Sequence, residues 1–334
     1  MPGHATVWVV GDCYGGLPSS PQLVSERRRS NGSWEAIPVS PNRGSVVSVA
    51  AVSGRDVWAV GSDAGGGLVE HWDGTAWAVV PSPGVGVGTA TNLPSDLTGV
   101  AVSSPTSVWA VGSQTDSSNR RRTLVEHWDG SAWTVVPTPN ANALNNDLYG
   151  VVTVPSTGSV WAFGAHATRT GGSRQLILHK GRYGWAVARR QPLVPSSRLD
   201  GGAVVPGASG GVWAVGEAYG HFTRGNPPHA HFLAERHSAS GWQVVPTPTR
   251  GGYNELFSAA AIPGTSHLWA IGNGTRGAVT MRWTGDSWLI TRTPSPPLCP
   301  RLTGVTAISR VNAWTVGYKN ACGIDEFPLV EHYH

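Results

Sequence analysis

The chain has 334 residues and a net charge of +4; charged residues make up 13% of it, beside 44 glycines, 25 prolines and 16 tryptophans. A charged share well under the typical figure of about 25% excludes helical bundles, coiled coils and charged disorder, and the length leaves one large core or two ordinary ones open. The positive charge is almost all arginine, with only two lysines, Lys180 and Lys319, and is read as no sign of a nucleic-acid partner.

Taken in chain order, one motif recurs: VWVVG at Val7, VWAVG at Val57 and Val108, VWAFG at Val160, VWAVG at Val212, LWAIG at Leu268 and AWTVG at Ala313. The seven tryptophans lie about fifty residues apart, near the spacing of a four-stranded propeller blade. Each full unit reads as four short strands, A to D: LTGVAVS from Leu97, SVWAVG from Ser107, TLVEHW from Thr123 and SAWTVVP from Ser131. Asp73-Gly74 and Asp129-Gly130 suit tight C-to-D hairpins with positive φ. Prolines ending the D strands, as in VVPSP at Val79 and VVPTP at Val135 and Val244, block pairing at an outer edge.

Such units cannot bury both faces alone, so they are expected to pack around an axis as a seven-bladed, all-β propeller spanning 1–334. The units run at about 1–44, 45–95, 96–146, 147–197, 198–254, 255–300 and 301–334. Six A, seven B, seven C and six D strands are expected, the first unit lacking A and the last lacking D. No run approaches the roughly 18 apolar residues of a membrane helix. The opening MPGHATVWVVGD lacks the basic start and apolar core of a signal peptide, so a leader is expected to be absent from this chain.

At the DGTAW and DGSAW hairpins (Asp73, Asp129) and the VWAVG strands before them, the chain resembles the Asp-box propellers, including the photosystem-assembly type, and uncharacterised bacterial proteins built from EHWDG repeats. The resemblance implies the fold, and it makes the box a structural hairpin on the face opposite the ligand site. The box departs from the pattern at Lys180-Gly181-Arg182 and His237-Ser238-Ala239, and no set of residues maps onto the arginine triad of sialidases, which share the fold.

All sixteen tryptophans fall in B strands, D strands or the ends of C strands, so packing between blades accounts for them without a lectin. The pairs Glu70-His71, Glu126-His127 and Glu331-His332 mimic an acid-base dyad, but neighbours on a strand face opposite ways. The runs Arg27–Arg29 and Arg120–Arg122 read as solvated surface.

Function is expected on the face of the D-to-A and B-to-C connections, where the sequence varies on a constant frame. Ser45, Asp96, Asp147, Arg198, Glu255 and Arg301 start the A strands and are expected at the channel mouth. Asp96, Asp147, Arg198, Glu255 and Arg301 are the candidate ligand-binding residues, mutual salt bridges being the plain alternative. In the fifth unit the connection from Glu217 to His231 carries His221, His229 and His231, with His166 in the preceding unit. This is a candidate set for zinc or copper, although Asn226-Pro227-Pro228 also suits an ordinary exposed loop. The leading reading is a non-enzymatic, extracellular monomer binding a glycan, peptide or small polar ligand. The alternative is a hydrolase or lyase using the channel-mouth carboxylates or a histidine-bound metal, and a cytoplasmic location stays open.

Cys299 maps to the D-to-A connection entering the last unit, Cys322 to that unit's B-to-C connection, and Cys13 to the B-to-C connection of the first. A Cys299–Cys322 disulfide is expected to tie two loops of one blade, leaving Cys13 free, with Cys13–Cys322 as the other pairing. Non-reduced peptide mass spectrometry on protein from an oxidising compartment should find Cys299 linked to Cys322; two free thiols there would reject the bond.

Overall fold

The computed structural model describes residues 6–13, 22–29, 31–39, 44–83, 95–188, 194–206, 211–220, 229–248, 251–275, 277–291, 300–320 and 326–333. These residues hold 26 strands and no helix. The chain falls into two compact units, Met1–Ala162 with Leu178–Ala188, and Phe163–Ile177 with Arg189–His334.

Seven antiparallel sheets follow the chain in order, each built of consecutive neighbours. Blade 1 is β1 (Val7–Cys13), β2 (Gln22–Arg28) and β3 (Trp34–Ile37); blade 2 is β4 (Gly44–Ser53), β5 (Asp56–Asp63), β6 (Gly66–Trp72) and β7 (Trp77–Val79). Blade 3 is β8 (Ser95–Ser104), β9 (Ser107–Thr115), β10 (Arg121–Trp128) and β11 (Trp133–Val135); blade 4 is β12 (Asn146–Val154), β13 (Ser159–Ala167), β14 (Ser173–Gly181) and β15 (Gly184–Val187). Blade 5 is β16 (Ser197–Val205), β17 (Gly211–Tyr219), β18 (Ala230–Ser238) and β19 (Gly241–Val244); blade 6 is β20 (Asn254–Ala261), β21 (Leu268–Gly274), β22 (Gly277–Trp283) and β23 (Trp288–Thr291); blade 7 is β24 (Pro300–Ser309), β25 (Asn312–Asn320) and β26 (Glu326–Tyr333). The strand count per repeat is the expected one, with three strands in the first and last blades. The fold is a seven-bladed β-propeller.

Sterics dictate the glycine of the VWxxG motif. A Cβ on Gly61, Gly112, Gly216, Gly272 or Gly317 would lie 1.8, 1.9, 2.1, 1.9 or 1.9 Å from the carbonyl oxygen of Ser45, Asp96, Arg198, Glu255 or Arg301, respectively. The A strand therefore rests on the B strand where no side chain fits. One residue further on, the A strand bulges, its register shifting between Val46 and Ser48, Leu97 and Gly99, Leu199 and Gly201, Leu256 and Ser258, and Leu302 and Gly304. Bulges of this kind twist a strand and re-aim its side chains.

The B-strand tryptophans pack between blades. In the first unit Trp8 meets Trp72 and Trp77 of the next blade at ring-centroid distances of 5.1 and 5.5 Å, and Trp58 meets Trp128 and Trp133 at 5.0 and 5.4 Å. In the second, Trp213 meets Trp283 and Trp288 at 5.0 and 5.7 Å. Each B-strand ring is also covered from its own C strand. His71, His127, His179 and His332 stack on Trp58, Trp109, Trp161 and Trp314 at 4.0 to 4.2 Å, while Arg27, Arg236 and Arg282 lie over Trp8, Trp213 and Trp269. The glutamates beside these histidines are buried: Glu70, Glu126 and Glu331. The Glu-His pairs are thus split between two faces, and they serve packing rather than one pocket. Ser82 of blade 2 donates to Glu126 Oε2 of blade 3 at 2.5 Å, and Glu70 Oε1 is buried without a hydrogen-bond partner. Burial pushes the Glu70 carboxyl up to about 7.

The C-to-D hairpins close as the Asp-Gly pairs require. Asp73 Oδ1 accepts from Thr75 N (2.8 Å), Thr75 Oγ1 (2.6 Å) and Ala76 N (2.9 Å), and Asp129 repeats this with Ser131 and Ala132. These bonds hold both carboxyls down at about 2, and Gly74 and Gly130 take φ of +100° and +101°, open to glycine at little cost.

Two outcomes follow. Trp109→Ala removes a ring stacked on His127 at 4.1 Å and set edge-on to Trp185 of blade 4 at 5.7 Å, and should cost about 3–5 kcal/mol in denaturant unfolding. An unchanged midpoint would refute the packing role. For Glu70 the folded-state pKa lies above the unfolded value, so the folded state binds more protons and stability falls as pH rises from about 4.5 to 7. Glu70→Gln should remove a pH dependence of about 3 kcal/mol across that window; unfolding curves at pH 4.5 and 7.5 that shift alike in both proteins would show Glu70 to be energetically silent.

Candidate functional site

Ser45, Asp96, Arg198, Glu255 and Arg301 are each the second residue of an A strand. Each pairs with the residue after the motif glycine: Ser62, Ser113, Glu217, Asn273 and Tyr318. The candidate ligand-binding residues gather in two groups, one in each compact unit.

In the first unit Arg121 bridges two blades. Its Nη2 donates to both carboxylate oxygens of Asp96 at 3.0 Å, and it also bonds Asp147 and Ser113. Arg122 holds Asp116 at 2.7 Å and reaches the carbonyl oxygens of Asn142 and Leu144 at 3.3 Å. The run expected to be solvated surface thus leads into β10, and all three of its arginines are tied into structure, Arg120 Nη1 donating to the Ala143 carbonyl oxygen at 2.8 Å. Arg27 and Arg29 are likewise paired, both with Glu35.

In the second unit Arg198 Nε lies 3.0 Å from Asp200 Oδ1 and 2.9 Å from Glu217 Oε1, and Nη2 lies 3.5 Å from Glu255 Oε2. Asp200 is the bulged residue of β16, set two residues from Arg198 and therefore on its side of the strand. Tyr219 donates to Glu217 Oε1, and Tyr253 donates to Glu255 Oε2 at 2.9 Å. The side chains of Asp200, Glu217 and Glu255 are 11%, 0% and 6% exposed, against 29% for Arg198, while Tyr253 is 43% exposed.

Burial sets the electrostatics of this group. It raises the Asp200 carboxyl to about 7, with Arg198 opposing and Glu217 and Glu255 reinforcing the rise. Burial also raises Glu255, partly offset by the Tyr253 hydrogen bond and by Arg198 and Arg301. Both phenols are pushed further up, first by burial and then by Glu217, so they act as donors. Arg301, on β24, acts on Glu255 through its charge. Arg198, Glu255 and Arg301 of the expected set therefore share one neighbourhood, and Asp96 and Asp147 share the other.

Asp200, Glu217, Tyr219 and Tyr253 carry no motif. A signal for Glu217 does exist: the residue after the motif glycine reads Asp12, Ser62, Ser113, Ala165, Glu217, Asn273 and Tyr318, a variable column beside an invariant one. The connection expected to begin at Glu217 begins later, since β17 runs to Tyr219 and β18 starts at Ala230. Of the candidate metal ligands, His166 Nδ1 lies 3.2 Å from the Ala167 carbonyl oxygen, His229 and His231 are exposed, and His221 is outside the described residues. No group of three or more His, Cys, Asp or Glu side chains gathers to hold a metal among the described residues. Cys299 and Cys322 also fall outside them, and Cys13 is described by its backbone alone.

The class that fold and sheets define is the seven-bladed β-propeller. No protein-family model and no curated protein matches the chain. Among solved structures, virginiamycin B lyase from Staphylococcus aureus, in its catalytically inactive form with quinupristin, is similar at a TM-score of 0.56 and 13% identity, over 97% of this chain and 99% of that one. YCF48 from Cyanidioschyzon merolae is similar at 0.53 and 14%, over 100% and 97%. The six-bladed fucose-recognising lectin of Aleuria aurantia is similar at 0.51 and 11%, over 86% and 95%. At these identities the likeness is one of fold.

Proposed function

We propose that this propeller binds a small polar ligand, a glycan or a peptide, through the group formed by Arg198, Glu217, Tyr253 and Glu255. One observation carries the reading. Strand residues that every blade needs recur in every blade, whereas this group concentrates three buried carboxylates, a guanidinium and two phenols in the variable columns of blades 5 and 6. Packing does not call for them, since blades 2 and 3 fill the Glu217 column with Ser62 and Ser113. Buried charge costs free energy unless it is paired, and a site that keeps it where serine suffices is built for something other than stability. A lectin and a lyase among the similar folds fit a ligand face without choosing the ligand. The proposal takes the binder to be an extracellular monomer.

The hydrolase or lyase alternative draws on Asp200, whose carboxyl at about 7 suits a general acid or base near neutral pH. Binding and turnover are separable. Tyr253→Phe and Glu255→Gln should each weaken binding on a glycan and peptide array by at least about tenfold with an unchanged melting temperature, one lost charged hydrogen bond being worth about 1.5–3 kcal/mol. Asp129→Ala, at a hairpin, should lower the melting temperature and leave binding intact. Retained binding in both site variants would remove the site from this group, and turnover that disappears in Asp200→Asn would replace the binder with the enzyme.

A further inference from the structure

We infer that the ligand of this group carries a cationic amine, an ammonium or guanidinium seated against Glu217 and Glu255 beside the Tyr253 phenol. The inference rests on the reading that this group binds a polar ligand, and it names the chemistry of that ligand.

The charge balance comes first. Asp200, Glu217 and Glu255 converge on a single guanidinium in contact, that of Arg198. Arg301 adds positive charge near Glu255 without an ion pair among the described contacts. With its three carboxyls ionised the group is net negative even beside Arg198 and Arg301, and an anionic ligand meets repulsion. A neutral hydroxyl can satisfy a lone pair but leaves the charge uncompensated, whereas an ammonium does both.

The second observation is independent of the count. Glu217 is fully buried, its Oε1 is held by Arg198 and Tyr219, the Tyr253 phenol also acts on its carboxyl, and its Oε2 has no hydrogen-bond partner of ordinary geometry. A buried carboxylate oxygen left without a donor, in a carboxyl group already fixed inside the cluster, is an acceptor waiting for a donor. Tyr253 supplies the entrance, being the most exposed member of the group and bonded to Glu255 through its hydroxyl. Turning that phenol aside uncovers Glu255 Oε2 while leaving an aromatic face beside the cation. A metal ion is the less suitable cation, because the three carboxylates do not close into a ligand set.

Protonation fits the same picture. The groups facing Asp200 are Arg198, Glu217 and Glu255, with Tyr219, Tyr253 and Arg301 around them. The Asp200 carboxyl, raised to about 7, is partly protonated near neutral pH, and burial raises Glu255 as well. A bound amine should therefore expel part of a proton.

Matched pairs test this on the whole chain: cadaverine against 1,5-pentanediol, and glucosamine against glucose, titrated calorimetrically at pH 7 in two buffers of different ionisation enthalpy. The amine of a pair is expected to bind at least tenfold more tightly, to release protons, and to weaken as salt is raised. Glu217→Gln should cost that preference about tenfold, and Tyr253→Phe, which keeps the ring and carries little folding risk, should alter amine affinity with an unchanged circular dichroism spectrum. Equal or tighter binding of the neutral member without proton release would overturn the inference and leave the polar-ligand reading standing. Binding of neither member of either pair, while an array glycan or uncharged peptide binds with dependence on Glu255, would do the same. Loss of every ligand, array included, would overturn the wider reading itself.

Discussion

A carbonyl oxygen occupying the space of a missing β-carbon is the contact on which the blades depend. At Gly112 the position of a Cβ lies 1.9 Å from the Asp96 carbonyl oxygen, and the same holds within 0.2 Å in blades 2, 5, 6 and 7. Only glycine allows the A strand to lie this close, and the strand responds by bulging one residue later. In blade 5 the bulged residue is Asp200, which lies two residues from Arg198, shares its side of the strand and pairs with it. A steric requirement of the backbone and a charged group thus meet at one place in the strand.

Cohesion comes from aromatic rings rather than from charge. Aromatic pairs contribute about 0.5–1.5 kcal/mol each beyond the area they bury, whereas exposed ion pairs contribute about 0–1. Every B-strand tryptophan has a ring or cation of its own C strand over it, and those of blades 1, 2, 3, 5 and 6 also reach aromatic rings of the next blade. A chain with so few charged residues can be stable on this basis. It can also spend its remaining charges locally, as Arg121 does between Asp96 and Asp147.

The fold was legible because the same packing problem is solved seven times, and each solution leaves the same letters: VWxxG for the glycine contact and the buried tryptophan, Asp-Gly for the hairpin. The site was legible only in part. Arg198, Glu255 and Arg301 stand out by differing in charge at equivalent places, but Asp200 does not. Its column reads Val47, Thr98, Tyr149, Asp200, Phe257 and Thr303, and nothing in that column says that the carboxyl is packed against Arg198. Glu217 was hidden differently, sitting within the motif strand and looking like the start of a loop. The partners of Asp96 and Asp147 were obscured because Arg121 looked like one member of a basic run, when strand pairing turns it toward Ser113 and the two aspartates.

The position after the motif glycine behaves as an address. Its backbone is fixed by the glycine contact in blades 2, 3, 5, 6 and 7, and its occupants there range from serine to asparagine, glutamate and tyrosine. Specificity in such a protein can be rewritten one column at a time without disturbing the frame, and a recognition group can in principle be moved from one repeat to its neighbour by exchanging a few letters. Duplication of a blade therefore copies not a function but a blank form, already folded, on which a new one can be written.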